Sequence, residues 1–341
     1  MAMRDLTVMG AGVFGLAAAW EAARRGACVR VIDPGGVGAG ASGGLVGALS
    51  PHAPEGWNDI KAFQLDALLM AEGWWAEVAE AAGLPTGYAR LGRVQPLMDE
   101  KAVETARRRV AGAADLWHGA AEWRVVPASG PFAPLSPTGL VVEDTLSARL
   151  HPRMACAALA AAIRAAGGTI ETEGEAEGPV LWATGAAGLA DLGAALGRGM
   201  GGGVKGQALS LRLDAGDAPQ IYAPGLHVVP HAGGTVAVGS TSERDYDRPD
   251  TTDAQLDVPH ARAVALCPWL EGAPVVARWA GLRPRAATPH PLMGAWPGRD
   301  GHYVANGGFR IGFALAPKVA GIMADLILDG RDGIPGAFRL V

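Results

Sequence analysis

The sequence predicts an α/β protein made of two interleaved domains. Three observations carry that prediction: a strand–helix–strand opening built around a glycine turn, an α/β pattern that breaks off and later resumes, and a late series of short alternating runs. The 341 residues are enough for two domains that each bury a core.

In the opening, residues 6–9 form an apolar run, residues 13–25 have helical spacing with an Ala-rich face, and residues 28–32 form a second apolar run. Gly10-Ala11-Gly12-Val13-Phe14-Gly15 joins the first two. One glycine of this pattern makes the turn, one lets the backbone approach a pyrophosphate, and one lets helix and strand pack closely. Asp33 follows 18 residues after Gly15, at the end of the second run, where a carboxylate accepts hydrogen bonds from ribose hydroxyls. The amino terminus of the helix favours a phosphate. The unit reads as a Rossmann-like site for the ADP half of a dinucleotide, and on its own it does not separate FAD from NAD.

Residues 35–47 are too Gly-rich for regular structure. A helix is predicted from near Asn58 through Leu65, Leu68 and Trp75 to about Ala82, with Gly83 ending it. Residues 90–142 change to short apolar runs and Pro-rich turns, with a helix over about 100–111. The α/β pattern returns with a helix over 151–166, Pro152 at its start and Gly167-Gly168 after its end, then strands at 169–172 and 180–184. Residues 205–239 alternate in short runs separated by Gly and Pro, which suits an antiparallel sheet. A helix around 252–266, an apolar run at 279–283, a strand at 302–305 and a helix from about Ala316 complete the chain. The predicted nucleotide-binding domain comprises residues 1–89, 144–204 and 279–341, and the predicted α+β substrate domain 90–143 and 205–278.

A net charge of −5 and the lack of any basic run give no footprint for nucleic acid, so a small molecule is the expected partner. Cys28, Cys156 and Cys267 are odd in number and far apart, which suggests reduced thiols rather than disulfides or a metal site. The chain enters its first strand without a leader-like segment, and the apolar stretch 312–328 is broken by Pro317, Lys318 and Asp325. Both points favour a cytoplasmic protein without a membrane span; a homo-oligomer is left open.

Several segments decide the cofactor by resemblance. Gly38-Ala39-Gly40-Ala41-Ser42-Gly43-Gly44, followed by residues 45–51, stands after the second strand. Ala183-Thr184-Gly185, Val204-Lys205-Gly206-Gln207, Val228-Val229-Pro230, Val238-Gly239-Ser240-Thr241, Gly281-Leu282-Arg283-Pro284 and the stretch from Ala305 through Gly312 to Pro317 follow in order. Together they resemble the D-amino-acid oxidase superfamily of FAD-dependent oxidoreductases, most of all its glycine oxidase and sarcosine oxidase group. The resemblance spans nearly the whole chain.

It implies a Rossmann-like FAD-binding domain beside an antiparallel substrate domain, and noncovalent FAD held by Gly10, Gly12, Val13, Phe14, Gly15, Asp33 and Pro34 at the ADP end. Gly40, Ala41, Ser42, Gly43, Gly44, Leu45 and Val46 would run along the flavin and pyrophosphate, with Thr184, Gly185 and Gly281 beneath and Ala176 on the adenine side. Gly308, Phe309, Arg310, Ile311, Gly312 and Phe313 would reach the pyrimidine edge. A helix beginning near Ala316 would aim its amino terminus at the flavin.

For catalysis, the resemblance implies that Arg283 grips a substrate carboxylate, with Arg310 as a second arginine nearby. A guanidinium fork makes two parallel charge-assisted bonds, which an ammonium cannot. The alternative for Arg283 is a structural ion pair, and Arg310 could instead serve the fold. His227, Ser242, His52 and Ala48 are the other expected pocket residues. The implied reaction is oxidation of a small amino acid or N-alkyl amino acid, of glycine, sarcosine or D-amino acid type. A hydride would pass from the α-carbon to flavin N5, the imine would hydrolyse, and dioxygen or another acceptor would reoxidise the flavin.

Three departures accompany the resemblance: the 172–180 segment is too short for the usual β-meander, Gly308 stands where a histidine is usual, and no Cys or His sits at a covalent flavin attachment point. Two other functions fit parts of the pattern. One is the oxidoreductase that acts on a carboxymethylamino group of a tRNA wobble uridine. The other is a non-catalytic flavin-binding subunit that uses Trp74-Trp75 as an exposed anchor.

Overall fold

A computed structural model describes residues 5–340; residues 1–4 and 341, the extreme ends of the predicted nucleotide-binding domain, lie outside the described residues. The chain runs β1 (Leu6–Met9), α1 (Val13–Arg24), β2 (Val29–Ile32), β3 (Ala48–Leu49), α2 (Asp59–Ala82), β4 (Arg93–Pro96), α3 (Glu100–Leu116), β5 (Trp123–Pro127) and β6 (Leu140–Asp144). It continues through β7 (Ala148–Arg149), α4 (Pro152–Ala165), β8 (Thr169–Glu171), β9 (Val180–Trp182), α5 (Gly185–Leu196), β10 (Gly201–Arg212), β11 (Gln220–Ala223), β12 (Leu226–His231) and β13 (Thr235–Gly239). It ends with α6 (Asp257–Leu266), β14 (Val275–Ala286), β15 (Leu292–Ala295), β16 (His302–Asn306) and α7 (Gly312–Asp329).

Two large sheets organise the molecule. The first has the order β15-β16-β9-β1-β2-β8, and four of its five pairings are parallel, the antiparallel one being β15 with β16 at the edge. The chain leaves β1 for β2 on one side and later returns to β9 on the other, so the loops after β1 and β9 diverge at a topological switch point, where α/β sheets leave a crevice. Gly10 there has φ +110°, and a Cβ on it would lie 2.5 Å from the Ala183 carbonyl oxygen. Only glycine lets the two loops come this close.

The second sheet has the order β14-β10-β13-β12-β11-β4-β6-β5 and is antiparallel except where β11 meets β4. Its side chains sort by alternation. Leu209, Leu211, Ile221, Val228, Val236 and Val238 pack in one cluster with Leu256, Ala263 and Cys267, below α6. The alternate positions Ala208, Val229 and Ala237 join Leu45 in another, on the face toward the glycine-rich loop. The predicted boundaries at 204/205 and 278/279 fall inside β10 and β14, which pair from Gly201↔Ala286 to Leu211↔Val275.

Local chemistry accounts for the helix ends. Asn58 caps α2 by accepting from the Lys61 N–H at 3.0 Å, Asp99 caps α3 by accepting from Ala102 at 2.7 Å, and Gly83 closes α2 in the left-handed conformation. α3 runs beyond the expected residue 111 to Leu116, because Ala113 and Trp117 continue its buried face. α5 was not expected; it lies in a Gly/Ala stretch whose glycines weaken the helical spacing of Leu189, Leu192 and Leu196, and it packs against β10 and β14. α7 starts at Gly312 rather than near Ala316. Pro317 reads as a helix start, yet as the sixth residue of α7 it forgoes only the bond to the Phe313 carbonyl.

Trp74 and Trp75 are not an exposed anchor. They are 4% and 0% exposed, meet edge to face at 4.8 Å, and belong to the core that α1, α2, α4 and α7 share. None of the described helices is long and apolar enough to cross a membrane.

Candidate active site

Between the two sheets lies a cavity of about 650 Å³, within the range of small-molecule sites. At one end it meets the start of α1. Gly12, Val13, Phe14 and Asp33 line it there, and the Gly12 and Phe14 N–H groups have no acceptor among the described residues. The Val13 N–H donates to Ser42 Oγ at 2.9 Å. Asp33 accepts from Ala11 N–H at 2.7 Å and Gly35 N–H at 2.9 Å, which fixes the carboxylate and leaves further lone pairs free.

The glycines divide by what a side chain would meet. A Cβ on Gly15 would fall 2.0 Å from the Gly10 carbonyl oxygen, so Gly15 serves the helix–turn contact. A Cβ on Gly12 would meet only Ser42 Oγ at 3.3 Å, and one on Gly40 nothing within 4 Å. These two leave room on the cavity side. Open donors at a helix start beside that room suit a pyrophosphate, so the residues present fit a dinucleotide.

The middle of the cavity is walled by Ala41, Ser42, Gly44, Leu45, Val46 and Ala48 from the loop, by Thr184 and Gly185, and by Gly281. Gly308, Phe309, Arg310, Ile311, Gly312 and Phe313 close it from the other side. The Phe14 Cζ lies 2.8 Å from where a Gly308 Cβ would stand, which explains the loss of the expected histidine: that ring takes the space. Phe309 has φ +42°, a conformation costly for a side-chain-bearing residue, and three guanidinium carbons, of Arg283, Arg285 and Arg310, lie 5.2–5.7 Å from its ring centroid.

Arg283 lies on the cavity face of β14 and is 8% exposed. Its Nη1 donates to Ser240 Oγ at 2.7 Å and its Nη2 to the Thr241 carbonyl at 2.5 Å, while Nε is buried without an acceptor. It reaches them by crossing Gly206, where a Cβ would sit 2.4 Å from the guanidinium. Burial first, and then the facing Arg310, pull its pKa down to about 10. His227 faces the same space from β12. Burial, followed by Arg93, Arg310 and Arg283, pushes its imidazole down to about 4, so it is neutral at pH 7, and its Nδ1 has no partner.

His52 also lines the cavity, with its backbone N–H on Gln64 Oε1 at 2.9 Å and its Nδ1 against the same oxygen. Ser242 and Ala176 do not line it. Both are exposed; beyond β13 it is Ser240 that faces the cavity, and residues 172–179 form an open connection away from it. Gly10, Gly15, Gly43 and Pro34 stand behind or beside the wall rather than in it.

Arg93, Tyr222, Trp279, Gln64 and Asn306 line the cavity and were not expected there. Register is the signal that places three of them. Tyr222 pairs with His227, Trp279 with Ala208, and Arg93 with Gln220, all on the face opposite the α6 cluster.

The model of the family described as "FAD dependent oxidoreductase" matches residues 5–326. The chain belongs to this family. A glycine oxidase of Pseudomonas putida is 40% identical over 126 residues, which is 36% of this chain and only 34% of that relative's length. The glycine oxidase of Geobacillus kaustophilus is 28% identical over 360 residues, covering 95% of this chain and 92% of the relative. Its crystal structure superposes with a TM-score of 0.82 at 23% identity, covering 99% of this chain and 98% of the other, and that likeness establishes a shared fold. The protein is thus an FAD-dependent oxidoreductase related to glycine oxidase, with a mixed α/β architecture of parallel and antiparallel sheets.

Proposed function

We propose that the protein oxidises a small amine bearing a carboxylate on the adjacent carbon, of glycine, sarcosine or D-amino acid type. The observation that carries this reading is the deeply buried Arg283 guanidinium, pinned by Ser240 and Thr241, in the wall of the cavity that the α1 terminus and the glycine-rich loop share. Gly12, Asp33, Ser42, Thr184 and the residues from Gly308 to Phe313 hold FAD in this proposal. When bound, FAD supplies the two-electron acceptor for the substrate's α-carbon hydrogen, leaving an imine that water hydrolyses.

The chain's own part is orientation and charge. Arg283 and Arg310 hold the carboxylate. His227 is neutral, so it adds no third charge beside the amine and offers a lone pair or an N–H according to its tautomer. The apolar wall of Leu45, Val46 and Trp279 keeps water from the reacting end. No general base is required when the neutral amine binds. The start of α7 at Gly312 presents its N-terminal dipole to the cavity, which favours negative charge there.

The test is anaerobic mixing of the flavin-loaded protein with glycine, sarcosine and D-amino acids, with oxygen uptake followed in parallel. Loss of the yellow absorbance with at least one of them is expected. A flavin-loaded protein that no member of the panel bleaches would sink the reading.

A further inference from the structure

Among the described residues, Arg93, Arg149 and Arg283 are the deeply buried arginines, at 7%, 3% and 8% exposure. Two of them spend their terminal nitrogens on the protein. Arg149 Nη1 donates to the Gly216 and Pro230 carbonyls, both at 2.9 Å, and its Nη2 to Asp217 Oδ1 at 3.2 Å. Arg283 gives one Nη1 N–H to Ser240 and its Nη2 to Thr241 and, at 3.4 Å, the Lys205 carbonyl, which leaves a single Nη1 N–H for a ligand.

Arg93 differs. Asp144 Oδ2 takes only its Nε, at 2.8 Å, and Asp144 is in turn fixed by the Ser147 N–H at 2.8 Å. Nη1 and Nη2 meet no acceptor among the described residues, although the side chain lines the cavity, with its guanidinium carbon 5.6 Å from the Tyr222 ring centroid. This edge is open to the cavity rather than sealed in the core, and among the described residues the fold itself makes no use of it. The tether at Nε leaves the two-pronged end that matches a carboxylate.

The register sets Arg93 on the same sheet face as Tyr222, His227 and Arg283, with His227 between the two arginines. The carboxylates in the cavity wall are elsewhere: Asp33 is bonded to backbone N–H groups at the α1 end, and Asp250 is exposed at the rim beside Arg248.

We propose that Arg93 is a second anion-binding position, so that the preferred substrate is an amine carrying two carboxylates, one held by Arg283 and Arg310 and the other, across His227, by Arg93. The second carboxylate sits either on the side chain of an amino acid or on the nitrogen substituent. This rests on the α-carboxylate role proposed above for Arg283.

The experiment measures binding to flavin-loaded protein by calorimetry, using ligands that lack the amine and so do not react. Methylthioacetate is the monocarboxylate; thiodiacetate and its longer homologues are the dicarboxylates. At least one dicarboxylate is expected to bind about 10- to 100-fold more tightly than the monocarboxylate, the worth of one charge-assisted pair. The Arg93→Met/Asp144→Asn double variant, which avoids leaving a lone buried carboxylate, is expected to lose that ratio, and Arg93→Lys to keep part of it.

Equal binding of both ligand classes to the unaltered protein overturns the proposal, as does a double variant that retains the ratio. If the variants do not fold, the unaltered protein's ratio decides. Anaerobic bleaching by D-aspartate or D-glutamate, against iminodiacetate, tells the two positions of the second carboxylate apart. Failure of every amine to bleach the flavin counts against the proposed reaction, while the calorimetric ratio still judges Arg93.

Discussion

Asp33 Oδ2 accepts the backbone N–H of Ala11 at 2.7 Å, which ties the end of β2 to the glycine turn that follows β1. The carboxylate therefore has a duty in the fold besides any toward a nucleotide. Asp33→Ala leaves the buried Ala11 N–H without an acceptor, at a cost of about 1–3 kcal/mol in the flavin-free protein. It also removes the acceptor proposed for the ribose, so FAD affinity should fall by about 10-fold or more. Thermal unfolding of the flavin-free protein and equilibrium dialysis of FAD separate the two effects. Unchanged dialysis would take Asp33 out of the nucleotide site.

The two glycines flanking Val13 and Phe14 should respond oppositely to a methyl group. In Gly15→Ala the new Cβ collides with the Gly10 carbonyl at 2.0 Å, so the turn must move, at about 1–3 kcal/mol or more. Gly12→Ala meets only Ser42 Oγ at 3.3 Å, from an extended backbone open to any residue, yet its methyl enters the space assigned to the pyrophosphate. It should fold with nearly unaltered stability and fail to retain FAD. A folded Gly12→Ala protein that stays yellow after dialysis contradicts the assignment.

This division explains how much the sequence could say. Residues 6–33 were legible because turn, helix start and strand end lie close along the chain, and strict sterics at Gly10 and Gly15 leave few residue choices. Arg283 was legible only through resemblance, and its dependence on Gly206 arises from strands far apart in sequence that pair as β10 and β14. Arg93 carries no local signal at all: its place follows from β4 joining β11, the one parallel step in that sheet, and from Asp144 on β6. Ser242 was expected in the pocket by resemblance alone; the chain leaves β13 at Gly239, and it is Ser240 that lines the cavity. α5 was missed although Leu189, Leu192 and Leu196 have helical spacing, because three glycines dilute the propensity of its alanines; it is held by packing against β10 and β14.

His227 and His231 make the protein acid-sensitive in a defined window. Burial is the first cause for both, and both imidazoles are pushed down to about 4, from 6.5 in the unfolded chain. Above pH 6.5 neither state is protonated at these sites and nothing is lost. Between pH 6.5 and about 4 the unfolded chain takes up protons that the folded one refuses, so stability falls as pH falls, by roughly 3 kcal/mol for each group. His227→Gln should reduce the loss between pH 7 and 4.5, measured by urea denaturation at both pH values. Equal losses in the variant and the unaltered protein would mean that His227 is not buried as a neutral ring.

Arg283 combines two tasks that substitution can separate. Its terminal nitrogens hold Ser240 and Thr241, and one Nη1 N–H remains for a ligand in the cavity that the residue lines. Arg283→Met should keep FAD, because Gly12, Asp33 and Ser42 do not touch this side chain and Phe309, which does, keeps Arg285 and Arg310 against its ring, and should lower kcat/KM by about 100-fold through loss of a charge-assisted carboxylate contact. Arg283→Lys restores charge without the fork and should recover only about 10-fold of that loss. Gly206→Ala offers an independent check, since a Cβ 2.4 Å from the guanidinium displaces the arginine without removing it. If the arginine holds the carboxylate, Gly206→Ala should raise KM more than it lowers the rate of flavin bleaching at saturation. A Gly206→Ala protein with unaltered KM, together with Arg283→Met at full kcat/KM, would assign Arg283 to the fold alone.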